Sequence, residues 1–161
     1  MTETGEGDAA GVRVFPPGVP LLTIVAGAAL DRFAPVGPEW GVPTALRIAI
    51  GIALLVAAIG LLGFWAVRTM RRTGQSENPY KPTTEIVDGG PFGFTRNPMY
   101  LQMVLGCIAI AIILASWWIL LLTPLCWAAL HFLVILPEET YLERKFGAEY
   151  HAYKQKVRRW I

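Results

Sequence analysis

The sequence predicts an all-α integral membrane protein with four transmembrane helices and a C-terminal amphipathic interfacial helix, on three observations. Of 161 residues, 54% are hydrophobic and only 16% charged, against about 45–50% and about 25% in an ordinary soluble domain. Asn97 to Pro137 is a run of 41 residues without Asp, Glu, Lys or Arg, and Ile48 to Val67 is another of 20. About 20 apolar residues cross a bilayer, so the longer run is two spans, since one helix of that length would measure roughly 60 Å. Finally, the N-tail, the segment Arg68 to Arg96 and the C-tail together hold 12 of the 14 basic residues, with Arg32 and Arg47 opposite. Basic residues collect on the cytoplasmic side, which places both termini there, and in a bacterium the membrane is then the inner one.

Each element follows in order. Met1 to Gly11 is rich in Gly, Glu and Ala and has no basic stretch ahead of an apolar segment. It reads as a disordered tail to residue 15, not as a signal peptide. Residues 16–161 form a single domain. The first span, about 18–34, begins beside Pro16-Pro17-Gly18-Val19-Pro20, and Asp31 and Arg32 near its far end can snorkel to the interface. After a Pro- and Gly-rich loop comes a span over about 44–70, where Ala49, Ala53, Ala57 and Gly60 form a small-residue stripe that another helix can approach closely. Arg68, Arg71 and Arg72 end it, and Thr73 to Thr95, with Pro79, Pro82 and Pro91, is a structured loop. The third span, 98–115, opens on Pro98, suited to a first helical turn. Ser116-Trp117-Trp118 is the tight turn, its indoles anchored at the interface, and the fourth span covers 117–137. Beyond it, Leu142, Phe146, Tyr150, Tyr153, Val157 and Trp160 share one helical face within 138–160, with Gly147 as a candidate break.

Length and charge exclude much. The chain is too short for a multidomain enzyme, and any chemistry lies in or beside the membrane helices. No basic cluster interleaved with aromatics is present for nucleic acid. Cys107 and Cys126 lie in apolar runs without metal-ligand spacing, so no metal site is expected. They fall near one depth, where a disulfide is geometrically open but disfavoured within a membrane interior.

Folding the third and fourth spans about Ser116 sets residue depth. Arg96 and Asn97 stand 20 and 19 residues before the turn and Glu138 and Glu139 22 and 23 after it, which at 1.5 Å per residue brings them together at the cytoplasmic interface. His131 lies about two helical turns deeper, seven residues from Glu138 and therefore expected on the same face. An ionisable residue at that depth is a functional candidate.

The stretch Lys81-Pro82-Thr83-Thr84, then Gly90-Pro91-Phe92-Gly93-Phe94-Thr95-Arg96-Asn97-Pro98-Met99-Tyr100, then Pro137-Glu138-Glu139, Tyr141-Leu142-Glu143, Phe146-Gly147, Tyr150, Tyr153 and Arg158-Arg159 resembles the isoprenylcysteine carboxyl methyltransferase family and its relatives among phospholipid N-methyltransferases. The resemblance covers about residues 45 to 161. It implies an integral membrane enzyme that uses S-adenosylmethionine, held by the loop before the third span (Lys81, Gly90, Pro91, Phe92, Arg96, Asn97), by Tyr100, by Glu138 and Glu139, and by the C-terminal segment. Where eukaryotic members typically read Arg-His-Pro, this chain has Arg96-Asn97-Pro98, and Asn cannot titrate.

Physical chemistry accommodates the implied ligand. Arg96 and the backbone of Gly89 to Phe92 suit a carboxylate, Glu138 or Glu139 an ammonium or ribose diol, and His131 and Tyr100 the deeper region near a reacting methyl. His131, Arg96 and Tyr100 are accordingly the catalytic candidates, acting on a lipophilic, membrane-partitioned acceptor that enters between helices. Methyl transfer needs alignment and exclusion of water more than a protein nucleophile. Three other readings stand beside it: a phospholipid amine N-methyltransferase, an NADPH-dependent membrane reductase served by Arg68, Arg71, Arg72 and Lys81, and a non-enzymatic membrane adaptor. The residues do not indicate an oligomeric state.

Overall fold

The structure, a computed structural model, describes residues 10–12, 14–76, 78 and 80–161. Residues 1–9 and 13 of the expected tail lie outside this set. Every regular element among the described residues is helical: α1 Gly18–Phe33, α2 Thr44–Arg72, α3 Pro98–Leu114, α4 Trp117–Phe146 and α5 Ala148–Lys156, with a 3-10 turn at Gly90–Gly93. Two of them, α2 with 29 residues and α4 with 30, are long and apolar enough to cross a membrane, and α3 is a shorter apolar helix. α2 packs along α3, α1 along α4 and α3 against α4, so the α3–α4 hairpin is the centre of the molecule.

The hairpin turn follows from its residues. Ala115 adopts a left-handed conformation, φ 55°. The N–H groups of Ala115 and Ser116 return to the carbonyls of Ile112 and Ala111, a Schellman closure of α3. Ser116 then caps α4, its hydroxyl accepting from the Ile119 N–H at 3.0 Å. Arg47 reaches in from α2, Nη1 donating to the carbonyls of Ile112 and Ile113 at 2.6 Å each. The indoles of Trp117 and Trp118 donate to the carbonyls of Pro38 and Ala34 at 2.7 and 2.6 Å. These tryptophans fasten the loop after α1 to the hairpin.

Close approach between helices is set by different small residues from those in the sequence stripe. Ala49, Ala53, Ala57 and Gly60 are exposed. The packed face carries Gly51, Ala58, Gly63 and Ala66 instead. A Cβ on Gly51 would lie 2.9 Å from the Ala109 carbonyl, and one on Gly63 would meet Gln102. Lipid tails are as apolar as the side chains, so shape and close backbone contact hold such helices together.

Both long helices contain a π-helical turn, Ala58–Phe64 in α2 and His131–Ile135 in α4. In α4 the wide turn ends just before Pro137, whose missing N–H and bulky ring disturb the α-helical bond back to residue 133. The Leu136 N–H bonds to the His131 carbonyl, five residues back. The helix therefore passes through Pro137 to Phe146 and does not stop at 137. Gly147, φ 50°, makes the break, and α5 ends at Lys156, short of the expected 160. The expected apolar face divides accordingly: Tyr150, Tyr153 and Val157 pack with Leu142, Phe146 and Ile86 of the loop. Ordered packing also begins before residue 16, because Val12 and Val14 lie against the core around Tyr100 and Val104.

Candidate functional site

The loop between α2 and α3 is fastened at several points, and these positions create the site. The buried Gln75 side chain donates to the Thr84 hydroxyl and accepts from the Thr84 N–H, closing the loop on itself. The Tyr141 hydroxyl of α4 accepts from the Thr83 N–H at 3.2 Å. In the 3-10 turn, Pro91 and Phe92 are buried, and the Phe92 carbonyl accepts from the Tyr153 hydroxyl at 2.7 Å. Burial holds the Tyr150 and Tyr153 hydroxyls above their ordinary range, so both stay neutral donors. Gly90 is required there: its φ is +59°, and a Cβ would lie 2.7 Å from the Thr69 hydroxyl.

The chain after α5 returns along the loop's far edge. The Arg96 N–H donates to the Arg158 carbonyl at 3.0 Å, and Asn97 Nδ2 and the Thr95 hydroxyl donate to the Arg159 carbonyl at 2.9 and 3.2 Å. Asn97 is thus a latch between loop and C-terminal segment, which needs an amide donor and no titrating group.

Four charged groups meet beneath this latch. Glu139 is buried and takes Arg96 Nη2 at 3.1 Å on one oxygen. Arg159 engages it in bidentate fashion, Nε to Oε1 at 2.9 Å and Nη2 to Oε2 at 2.7 Å. The Glu139 carboxylate holds the Arg159 guanidinium above its ordinary range. Two cations on one anion leave a local excess of one positive charge. Arg96 also has Nε and Nη1 buried with no hydrogen-bond partner among the described residues. Open buried donors on a guanidinium are costly unless an anion completes them. Close by, the Tyr100 hydroxyl donates to Glu138 Oε1 at 2.6 Å, leaving Glu138 with no arginine partner among the described contacts.

Arg96, Tyr100, Glu138 and Glu139 line a cavity of about 900 Å³, its open mouth included, whose wall also holds Phe92, Asn97, Tyr141 and Tyr150 but not Arg159. Of the residues singled out from the sequence, Arg96, Asn97, Tyr100, Phe92, Glu138 and Glu139 come together here. Lys81, Gly90 and Pro91 do not reach the wall. Gly90 and Pro91 shape the turn that presents Phe92.

His131 is also absent from the wall, correcting its expected place beside Glu138. Its ring stacks on Trp127, centroids 5.2 Å apart at 14°, and its Nδ1 accepts from the Trp160 indole at 3.3 Å. The π-helical turn starting at His131 rotates it off the face that a regular helix would share with Glu138.

Arg159 and the Gln75–Thr84 clamp are the contributors that sequence reasoning missed. The Arg158-Arg159 pair entered only through the resemblance, and an irregular segment carries no periodic signal.

Comparison with known proteins adds the family. A family model described as phospholipid methyltransferase matches residues 46–149. The chain is also 41% identical over 70 residues to an uncharacterized protein of Haemophilus influenzae, the match covering 39% of this chain and 100% of that relative.

Proposed function

From the premise that this chain belongs to the phospholipid methyltransferase family, we propose that it is an S-adenosylmethionine-dependent methyltransferase acting on a lipophilic, membrane-partitioned acceptor. The observation that carries this reading is the charge pattern of the cavity. Arg96 offers two buried nitrogens without a partner among the described residues, beside a net positive Arg96–Glu139–Arg159 group. Glu138 stands opposite in charge. A zwitterionic amino-acid end fits that pair, with carboxylate at Arg96 and ammonium at Glu138. When bound, S-adenosylmethionine supplies an electrophilic methyl group on a sulfonium.

The chain's own residues do the rest. Glu139, itself held by Arg159, fixes the Arg96 guanidinium, so it binds without reorganising. Phe92, Tyr141 and Tyr150 give flat apolar surface for a purine. Tyr100, at the mouth of α3, positions Glu138. For an acceptor amine, Glu138 is the carboxylate nearest to hand for its proton, and a phospholipid amine is the second acceptor class that the site accommodates. A nicotinamide reductase would need further cations at the wall for phosphates, and Arg68, Arg72 and Lys81 do not line it.

In the membrane we propose four spans, α1 to α4, with the loop, α5 and both termini on the cytoplasmic side. The cavity then opens where a lipid headgroup lies.

Calorimetry on the purified protein tests the reading. Binding of S-adenosylmethionine and S-adenosylhomocysteine, abolished or weakened at least tenfold by Arg96→Ala, is expected. Tight NADPH binding with no response to S-adenosylmethionine would overturn it, and mass spectrometry of the product assigns carboxyl, thiol or amine methylation.

A further inference from the structure

A second hollow, about 770 Å³ with its open mouth, lies beside the first and shares Asn78, Met99 and Tyr100 with it. Its own wall is apolar. Phe15, Pro16 and Pro17 come from the entry to α1, and Met103 stands one turn beyond Met99 on the same face of α3. Tyr80 closes the loop side, and its hydroxyl donates to the Val14 carbonyl at 3.1 Å, so loop and entry segment form one wall. No charged side chain among the described residues lines this hollow. Phe15 is 66% exposed, an apolar ring at the rim where the first helix would leave the membrane.

The chemistry of the two hollows is complementary. One holds the charged groups, the other apolar surface with two thioethers, which adapt to a flexible chain. Tyr100 belongs to both walls and bonds Glu138. We propose that the second hollow holds the hydrocarbon chain of the acceptor lipid, laid between the Phe15–Pro17 segment and α3 so that its polar head reaches Tyr100 and Glu138. The position of the head rests on the methyltransferase reading, whereas the chain site rests on the hollow itself. Residues 15–17 precede the part matched by the family, 46–149, so acceptor-chain selectivity is set partly by a segment outside that match.

Photolabelling tests this on the full chain in phosphatidylcholine nanodiscs. The probe is an ethanolamine phospholipid with a diazirine at the middle of a 16-carbon chain, roughly the length of a common acyl tail. Adducts mapped by mass spectrometry should concentrate on Phe15, Tyr80, Met99 and Met103, and the unlabelled lipid should compete them away. Met103→Trp should lower labelling at least fivefold while the S-adenosylmethionine Kd stays within twofold. Uncompeted adducts spread over the outward faces of α1 and α2, or labelling unaffected by Met103→Trp, would overturn the proposal. If Met103→Trp does not fold, competition on the unaltered protein decides. Calorimetry on the same sample separates the two readings. Cofactor binding without competed labelling sinks the hollow alone, and competed labelling without cofactor binding supports the hollow while sinking the methyltransferase.

Discussion

An arginine stands at each end of the α3–α4 hairpin, and the two ends treat it differently. At the turn end, Arg47 donates to the carbonyls of Ile112 and Ile113 while Trp117 and Trp118 donate to the preceding loop. The polar groups there tie backbone to backbone. The donor left open at that end, Trp40 Nε1, is a neutral indole packed against Trp117. At the loop end, Arg96 holds Glu139 through Nη2 but has Nε and Nη1 buried without a partner among the described residues. Leaving a buried donor unmatched costs about 1–3 kcal/mol, more when it is charged. A fold that leaves no buried Arg47 nitrogen open among the described residues but leaves two on Arg96 marks the second as the place where a ligand finishes the network.

The contrast breaks most visibly at Glu139. Glu139→Gln keeps the shape but removes the anion that Arg96 and Arg159 share. The expected loss is about 3–5 kcal/mol, the range for uncompensated buried charge. It should appear as a marked fall in the thermal unfolding midpoint of the detergent-solubilised protein, together with lost cofactor binding. An unchanged midpoint would mean that the loop end is no more strained than the turn end.

Removing each arginine in turn sharpens the comparison. Arg96→Ala leaves Arg159 bidentate on Glu139, so the fold should persist while the S-adenosylmethionine Kd weakens roughly ten- to a hundredfold, the worth of hydrogen bonds to a charged group. Arg47→Ala should do the opposite, destabilising by about 1–3 kcal/mol through the uncovered Ile113 carbonyl, since the Ile112 carbonyl still accepts from the Ala115 N–H, and leaving the Kd within twofold. If calorimetry showed equal weakening for both variants, the two ends would not differ in role.

Much of this was legible in the chain, and for statable reasons. The hairpin follows from a charge-free run too long for one span, and the meeting of Arg96 with the Glu138-Glu139 pair follows from counting residues about Ser116, because one wide turn changes the length of a long helix only slightly. Rotation is less robust than rise. The offset of seven that placed His131 with Glu138 assumes 3.6 residues per turn throughout, and one wide turn at His131–Ile135 swings the ring away. The Ala49 stripe misled for another reason: small residues permit close approach without saying on which side, and Gly51 and Gly63 on another face met α3. Arg159, in an irregular segment whose carbonyl is held by the Thr95 and Asn97 side chains, had no periodicity to betray it.

The smallest expected effect belongs to His131. In His131→Phe the ring can still stack on Trp127, and what is lost is the acceptor for the Trp160 indole, a long bond at 3.3 Å. That should cost no more than about 1.5 kcal/mol of stability, with cofactor affinity and turnover each within twofold of the unaltered protein. The assay discriminates because positioning and chemistry fail differently. A looser C-terminal segment would weaken the hold of Arg159 on Glu139 and raise the Kd, whereas a lost proton acceptor would lower turnover and leave Kd and midpoint alone. A tenfold fall in turnover by itself would return His131 to the reacting centre and show that the loop end extends two helical turns deeper than its arginines.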